Sequence, residues 1–378
     1  MVNKKYVLAK APFVRRADLN KINTKNIMKD VLIALIPFVL FAWYKNGLYF
    51  YFENNSLFYY MLYPLAFILI GALSAFLIEA LYYLIILKEE DCFKKSWNNY
   101  SIISGLLLAL ILPINTPIWV LIIAVIFAII IAKMLYGGFG HNIFNPALIG
   151  YIFVFAAYYN VIAENKIFSD IDFVSSATPL SGFKSVLYGN TSINDLINSY
   201  GGLFKMFLGF IPGAIGETSA LLCIIAFIYL SYKKVINPIM SLIYIFTCFV
   251  YSFILGMFIN VDSLFNFAIF NILNGGIMFA SVFMVTEPVT SPRNIKAKYI
   301  YTFFIAIISI TLRFLSNYPE GVSTAILFMN MLSPSLDTYF AKLNVSNNKR
   351  KKIITYIVIF TIIVLITIFN IYSILEKK

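Results

Sequence analysis

A chain of 378 residues that is 61% apolar and only 12% charged carries repeated uncharged runs of about the ~20 residues needed to cross a bilayer. A soluble domain could not bury so many such runs, and lipid-facing backbone must be helical or in a closed barrel, whose alternating pattern is absent here. The net charge of +12 falls in loops rather than on one basic face, so it reports topology and gives no reason to expect nucleic acid as a partner.

The fold class that follows is an all-α polytopic membrane protein. Residues 1–30 form a basic arm with Lys4, Lys5, Lys10, Arg15, Arg16, Lys21, Lys25 and Lys29, which the positive-inside rule places in the cytoplasm. The arm is no signal peptide, because the first apolar run comes late and no small-residue cleavage site follows it. Apolar runs over 31–50, 57–87, 100–114, 117–136 and 146–163 make a first membrane repeat (31–163). Residues 164–216 make a long extracytoplasmic loop, and runs over 217–232, 236–258, 268–286, 298–315 and 321–341 make a second repeat (217–341). A basic loop and an extra helix over 353–374 fill the remainder, 342–378. That is about ten transmembrane helices plus one, in a multi-pass protein of the cell membrane. With single crossings, Lys88, Lys94, Lys95, Lys133, Lys233, Lys234, Arg293, Lys296, Lys298 and the cluster 349–352 all fall on the cytoplasmic side.

Two stretches repeat. "SGLLLALILPINTP" (104–117) lies on "GGIMFASVFMVTEP" (275–288), and "GHNIFNPALIG" (140–150) on "YPEGVSTAILF" (318–328). Short apolar segments interrupted by Gly and Pro at corresponding places of two halves mark an internal repeat with broken half-helices, whose freed ends can face a ligand or ion. The plain alternative is chance likeness between two apolar sequences.

Chemistry-bearing residues are few. Cys92, Cys223 and Cys248 have no C-x-x-C spacing and read as structural, and His141 alone makes no metal site. The intramembrane or near-membrane carboxylates Glu79, Glu217, Glu287, Glu320 and Asp337 are costly unless paired or functional. Glu79 reads either as the partner of a lysine such as Lys88 or Lys133 or as part of an ion path. Asn142 and Asn145 line a break or cap its helices. Glu217, in "GETSA" with Gly213, Gly216, Thr218 and Ser219 nearby, opens a helix as a cap or holds an ion. Together Glu79, Asn142, Asn145, Glu217, Glu287 and Glu320 form a candidate ion path.

In the long loop, Asp172, Ser175, Ser176, Ala177 and Thr178 spell D-x-x-S-S-A-T ahead of Pro179. Such a cluster is ordinary turn chemistry. It is also an accessible hydroxyl with a carboxylate nearby, suited to covalent phosphoester attachment.

The motif resembles the signature on which an ApbE-type flavin transferase attaches FMN through a phosphoester to the threonine. "GGFGHNIFNPALIGY", "GAIGETSAL", "GGIMFASVFMVTEPVTSP" and "YPEGVSTAILFMNMLSP", in the same order, resemble the D component of the Rnf electron-transport complex, a relative of the B component of the sodium-pumping NADH:quinone reductase. The resemblance runs from about residue 26 to 337 and leaves the helix over 353–374 as an addition. It implies covalent FMN on Thr178, a second, non-covalent flavin such as riboflavin among the broken helices, and electron relay from ferredoxin to NAD+ coupled to Na+ or H+ export. It also implies the other Rnf components (A, B, C, E and G) as partners. Nothing in the chain could hold an iron–sulfur cluster or NAD, so those tasks fall to the partners. A flavin-free secondary transporter or channel with repeated broken helices is the competing class, and an assembly scaffold with Thr178 unmodified is a third.

Overall fold

The computed structural model describes residues 6–8, 14–16, 24–54, 58–164, 179–189, 191–315, 321–346 and 349–376. Thr178 and its motif residues Asp172, Ser175, Ser176 and Ala177, and Glu320, lie outside the described residues. In the basic arm, β1 (Tyr6–Leu8) pairs antiparallel with β2 (Val14–Arg16); every other named element is helical. These are α1 (Thr24–Trp43), α2 (Tyr49–Asn54), α3 (Phe58–Ile85), α4 (Cys92–Asn98), α5 (Ser101–Ile111), α6 (Ile118–Ile126) and α7 (Pro146–Glu164). Next come α8 (Pro179–Leu187), α9 (Ile193–Ser199), α10 (Gly202–Leu208), α11 (Ala220–Tyr232), α12 (Pro238–Ile259) and α13 (Leu264–Leu273). The last four are α14 (Ile277–Phe283), α15 (Ile295–Leu315), α16 (Gly321–Ser346) and α17 (Lys349–Glu376). Wide π-helical turns continue α1 through Tyr44–Leu48 and α6 through Phe127–Met134.

Among the described residues six helices are long and apolar enough to span a membrane, or seven if the pair α13 and α14, bent by 52° at its break, counts as one. The expected segment 100–114 is an 11-residue half-helix, α5, about 16 Å long at 1.5 Å per residue, against a hydrocarbon core of about 30 Å. Its end is set by Pro113 and Pro117, and the break between α13 and α14 by Gly275 and Gly276 at φ +64° and +68°, a region in which glycine carries no steric penalty. Elsewhere side chains fix the helix starts. Asn145 Oδ1 accepts from the Ala147 and Leu148 amides at the start of α7, and Asn237 Oδ1 from the Ile239 amide at the start of α12, satisfying donors that have no intrahelical partner.

The half-helices sit at the centre. Leu108, Ala109, Leu110 and Leu112 of the first are fully buried, because α3 crosses α5 where neither has a side chain: a Cβ on Gly105 would collide with the carbonyl of Gly71 and with Ala75. Small residues spaced by four on both helices permit this close approach.

The segment expected as a long extracytoplasmic loop over 164–216 carries three short helices, α8 to α10. Phe183 of α8 is fully buried, its ring 5.3 Å from Phe267, 5.7 Å from Phe270 and 5.2 Å from Phe314. The chain just after Thr178 is thereby docked on the second repeat. At the far end α17 lies on α12 and α15; Asn370, fully buried, donates to Tyr251 Oη at 2.6 Å and Thr311 Oγ1 at 2.8 Å.

Candidate functional site: a cavity and a sealed break

At the lysine-rich end of the bundle, where α1 begins beside Lys25 and Lys29 and α11 ends ahead of Lys233 and Lys234 in the chain, a cavity enclosing about 100 Å³ opens between the start of α5, the loop before α7 and the loop after α14. Its polar lining comes from Asn99, Lys133, Asn142, Asn145, Thr286 and Glu287, and Tyr100, Phe139 and Phe283 supply aromatic faces. Glu287 lies beyond the end of α14 and accepts from Thr290 Oγ1 at 3.1 Å. Asn142 and Asn145 also hydrogen-bond to it, yet burial outweighs these contacts and pushes its carboxyl up to about 7. Of the residues singled out in the sequence, the structure brings Asn142, Asn145 and Glu287 together here. Asn145 caps α7 at the same time, so lining and capping are not alternatives.

Glu79 is one wall residue away and fully committed. Lys133 Nζ stands 2.8 Å from its Oε2, with side-chain exposures of 3% and 0%; Asn99 Nδ2 donates to Oε1 at 2.9 Å and to Tyr83 Oη at 2.7 Å. Of the two readings of Glu79, the pairing is what the structure shows, with Lys133 as the partner. A carboxylate with both oxygens engaged by a cation and an amide is neutralised where it stands.

Glu217 is at the opposite end, before α11. The backbone there joins the end of α5: Ile215 N donates to Leu112 O at 3.1 Å and Gly216 N to Leu110 O at 2.9 Å. The Glu217 carboxylate lies against Gly276, so close that a Cβ there would come within 2.5 Å of Oε2. Lys45, 8% exposed, donates to Thr218 Oγ1 at 3.0 Å and to Ile211 O, and Asn46 donates to Ile215 O at 3.0 Å. Arg313, 2% exposed, donates to the carbonyls of Asn271 and Gly275. The side-chain cap at α11 belongs to Ser219, whose Oγ accepts from Leu222 N, rather than to Glu217. Asp337 accepts from the Arg293 and Asn294 amides at the start of α15; its role is a cap.

Sequence reasoning passed over Lys45 and Arg313. The signal was present, since both stand inside runs expected to cross the membrane, where a buried cation is as costly as a buried carboxylate. Among the described residues no group of three or more His, Cys, Asp and Glu could hold a metal.

The profile of the NQR2, RnfD, RnfE family matches residues 7–346, which leaves α17 outside. The D component of a Na(+)-translocating ferredoxin:NAD(+) oxidoreductase complex of Acetobacterium woodii is 30% identical over 320 residues, 84% of this chain and 90% of that protein. The D component of a proton-translocating ferredoxin:NAD(+) oxidoreductase complex of Clostridium ljungdahlii is 34% identical over 242 residues, 63% of this chain and 72% of that one. The B component of a Na(+)-translocating NADH-quinone reductase of Klebsiella pneumoniae is 31% identical over 271 residues, 68% of this chain and 63% of that one.

Proposed function

This chain belongs to the NQR2, RnfD, RnfE family, and on that premise we propose that it is the membrane-embedded RnfD component of an Rnf-type oxidoreductase, relaying electrons between ferredoxin-side and NAD+-side partners while Na+ or H+ is exported. The observation that carries the flavin part is D-x-x-S-S-A-T ending on Thr178 in a chain of this family. An ApbE-type transferase supplies the FMN, the phosphoester forms on the Thr178 hydroxyl, and the loop faces the outside of the plasma membrane. The other Rnf components (A, B, C, E and G) are the partners, and they provide the iron–sulfur and nucleotide sites that this chain lacks in sequence.

Support for a second, non-covalent flavin comes from the cavity at the lysine-rich end. Its lining has the polar character that meets the edge of an isoalloxazine ring: the Glu287 carboxyl, with Asn142 and Asn145 bonded to it, would face that edge, and Tyr100, Phe139 and Phe283 offer aromatic faces. The enclosed volume of about 100 Å³ is below the ~300 Å³ at which ligand cavities begin, so the cavity would hold only part of such a ring. When bound, such a cofactor supplies the redox chemistry; Asn142, Asn145 and Glu287 orient it, and the Lys133–Glu79 pair holds the wall beside it without presenting net charge.

Thr178→Val in the full chain, expressed with its partners, tests the covalent site. The expected result is an assembled complex without flavin on this chain and without ferredoxin:NAD+ electron transfer. Electron transfer at the parental rate would remove the flavin role.

A further inference from the structure

Two buried cations make the same contact at opposite ends of the molecule. Lys133 follows α5, in the continuation of α6, and donates to the carbonyl of Asn99 at 3.0 Å. Arg313 follows α14, in α15, and donates to the carbonyl of Gly275 at 2.9 Å. Asn99 and Gly275 are each the residue before a left-handed N-cap: Tyr100 at φ 55° for α5 and Gly276 at φ 68° for α14. Neither cap makes a side-chain hydrogen bond, so each half-helix begins without the usual local fixing of its first turn. Both end ahead of a proline-bounded break, Pro113 and Pro117 in one case, Pro288 and Pro292 in the other. The lengths of 11 and 7 residues differ by about one turn.

A cation at the start of a helix opposes the helix dipole, so the dipole does not account for either one. Each holds the carbonyl that leads into its half-helix. The dipole is matched instead by carboxylates: Glu79 through Asn99 at the start of α5, and Glu217 against Gly276 at the start of α14. The two half-helices also meet at one cavity from opposite directions. Asn99, Tyr100 and Ile103 at the start of α5 line it, and so do Val282, Phe283 and Glu287 at and beyond the end of α14.

We infer that Lys133 and Arg313 are equivalent positioning residues of the internal repeat, and that Arg313 sets the geometry of the cavity from the far end of α14. Lys133 fixes the α5 wall by direct contact. Arg313 anchors the start of a half-helix of 7 residues, about 10 Å long, whose other end carries Glu287 into the cavity. The geometric statement holds for any occupant; that the occupant is a flavin rests on the function proposed above.

The test uses the full chain with Val289→Cys as a reporter, because Val289 lines the cavity and the native Cys92, Cys223 and Cys248 are buried. Maleimide labelling of this cysteine and retention of non-covalent flavin are measured in Arg313→Gln, Arg313→Lys and Lys45→Gln. Lys45 is the control, a buried cation at the same end that contacts the loop before α11 and no half-helix start. Arg313→Gln should label at least about tenfold faster, the scale of one lost charge-assisted hydrogen bond, and should lose flavin. Arg313→Lys should fall between, because an ammonium cannot reproduce the planar fork that reaches two carbonyls. Lys45→Gln should label at the parental rate. Equal acceleration by Lys45→Gln overturns the inference, as does an unchanged rate in Arg313→Gln or, if that variant does not accumulate, in Arg313→Lys. Faster labelling in Arg313→Gln together with a parent that holds no non-covalent flavin upholds the positioning role and removes the flavin from the cavity.

Discussion

At the lysine-rich end, Glu79 and Lys133 neutralise each other in the wall of an open cavity, and Glu287 faces that cavity among amides and a hydroxyl. At the opposite end, Lys45 donates to the Ile211 carbonyl and the Thr218 hydroxyl, Arg313 donates to the carbonyls of Asn271 and Gly275, and the loop before α11 is tied to the end of α5 by main-chain bonds. The first arrangement leaves polar groups available to a ligand. The second uses its charges as fasteners that hold the backbone on either side of the break. Ionisable groups inside a bilayer are costly in both places, and at the second end carbonyl ligation by Lys45 and Arg313 meets part of that cost.

The largest effect that would break this contrast is expected from Lys133→Met. It strands the Glu79 carboxylate among buried groups and should cost about 3–5 kcal/mol, read as loss of folded protein or a large fall in thermal stability. Glu79→Gln combined with Lys133→Met should recover most of it; a double variant no better than the single one would mean that the pair does more than neutralise. Gly105→Val comes next. Its side chain meets the Gly71 carbonyl and Ala75, which should cost about 1–3 kcal/mol and lower thermal stability, with cavity labelling altered because α5 is displaced. Asn370→Leu should cost about 0.6 kcal/mol, the mean for interhelical hydrogen bonds in membranes, and should leave flavin content unchanged, because its partners Tyr251 and Thr311 do not line the cavity.

The smallest expected effect is a pH slope. With its carboxyl raised to about 7, Glu287 holds its proton more tightly folded than unfolded, so its contribution to stability is full below about 4.3 and is lost as pH rises through 7. Thermal stability measured from pH 5 to pH 8 should therefore fall, and Glu287→Gln should flatten the slope. An unchanged slope would assign it to another group.

Much of this was legible in the sequence because bilayer-length apolar runs and their Gly and Pro interruptions are local signals. The half-helix ending at Pro113 and the meeting of Asn142 and Asn145 with a polar break were readable, whereas the run 268–286, read as one span, is broken at Gly275 and Gly276. The internal likeness of 104–117 and 275–288 aligns the ends of α5 and α14 to within a residue, although their starts differ by a turn. The sequence could not choose between Lys88 and Lys133 for Glu79, since the choice depends on how α3 and α6 pack. Lys45 and Arg313 escaped because cations were read as markers of loops, and these two lie within spans. The helices α8 to α10 escaped because the polar content of 164–216 hid Phe183, Ile193, Ile197 and Met206, all buried; the spacing of Ile193 and Ile197 is a helical one.

A redox group carried outside the membrane spans, on Thr178, is the core of the proposed function. Its most direct test is the intact mass and flavin fluorescence of the full chain co-expressed with a flavin transferase, followed by peptide mapping across residues 167–184. An FMN adduct on Thr178 is the predicted result. An unmodified Thr178, with the transferase shown to be active on another substrate, would contradict it.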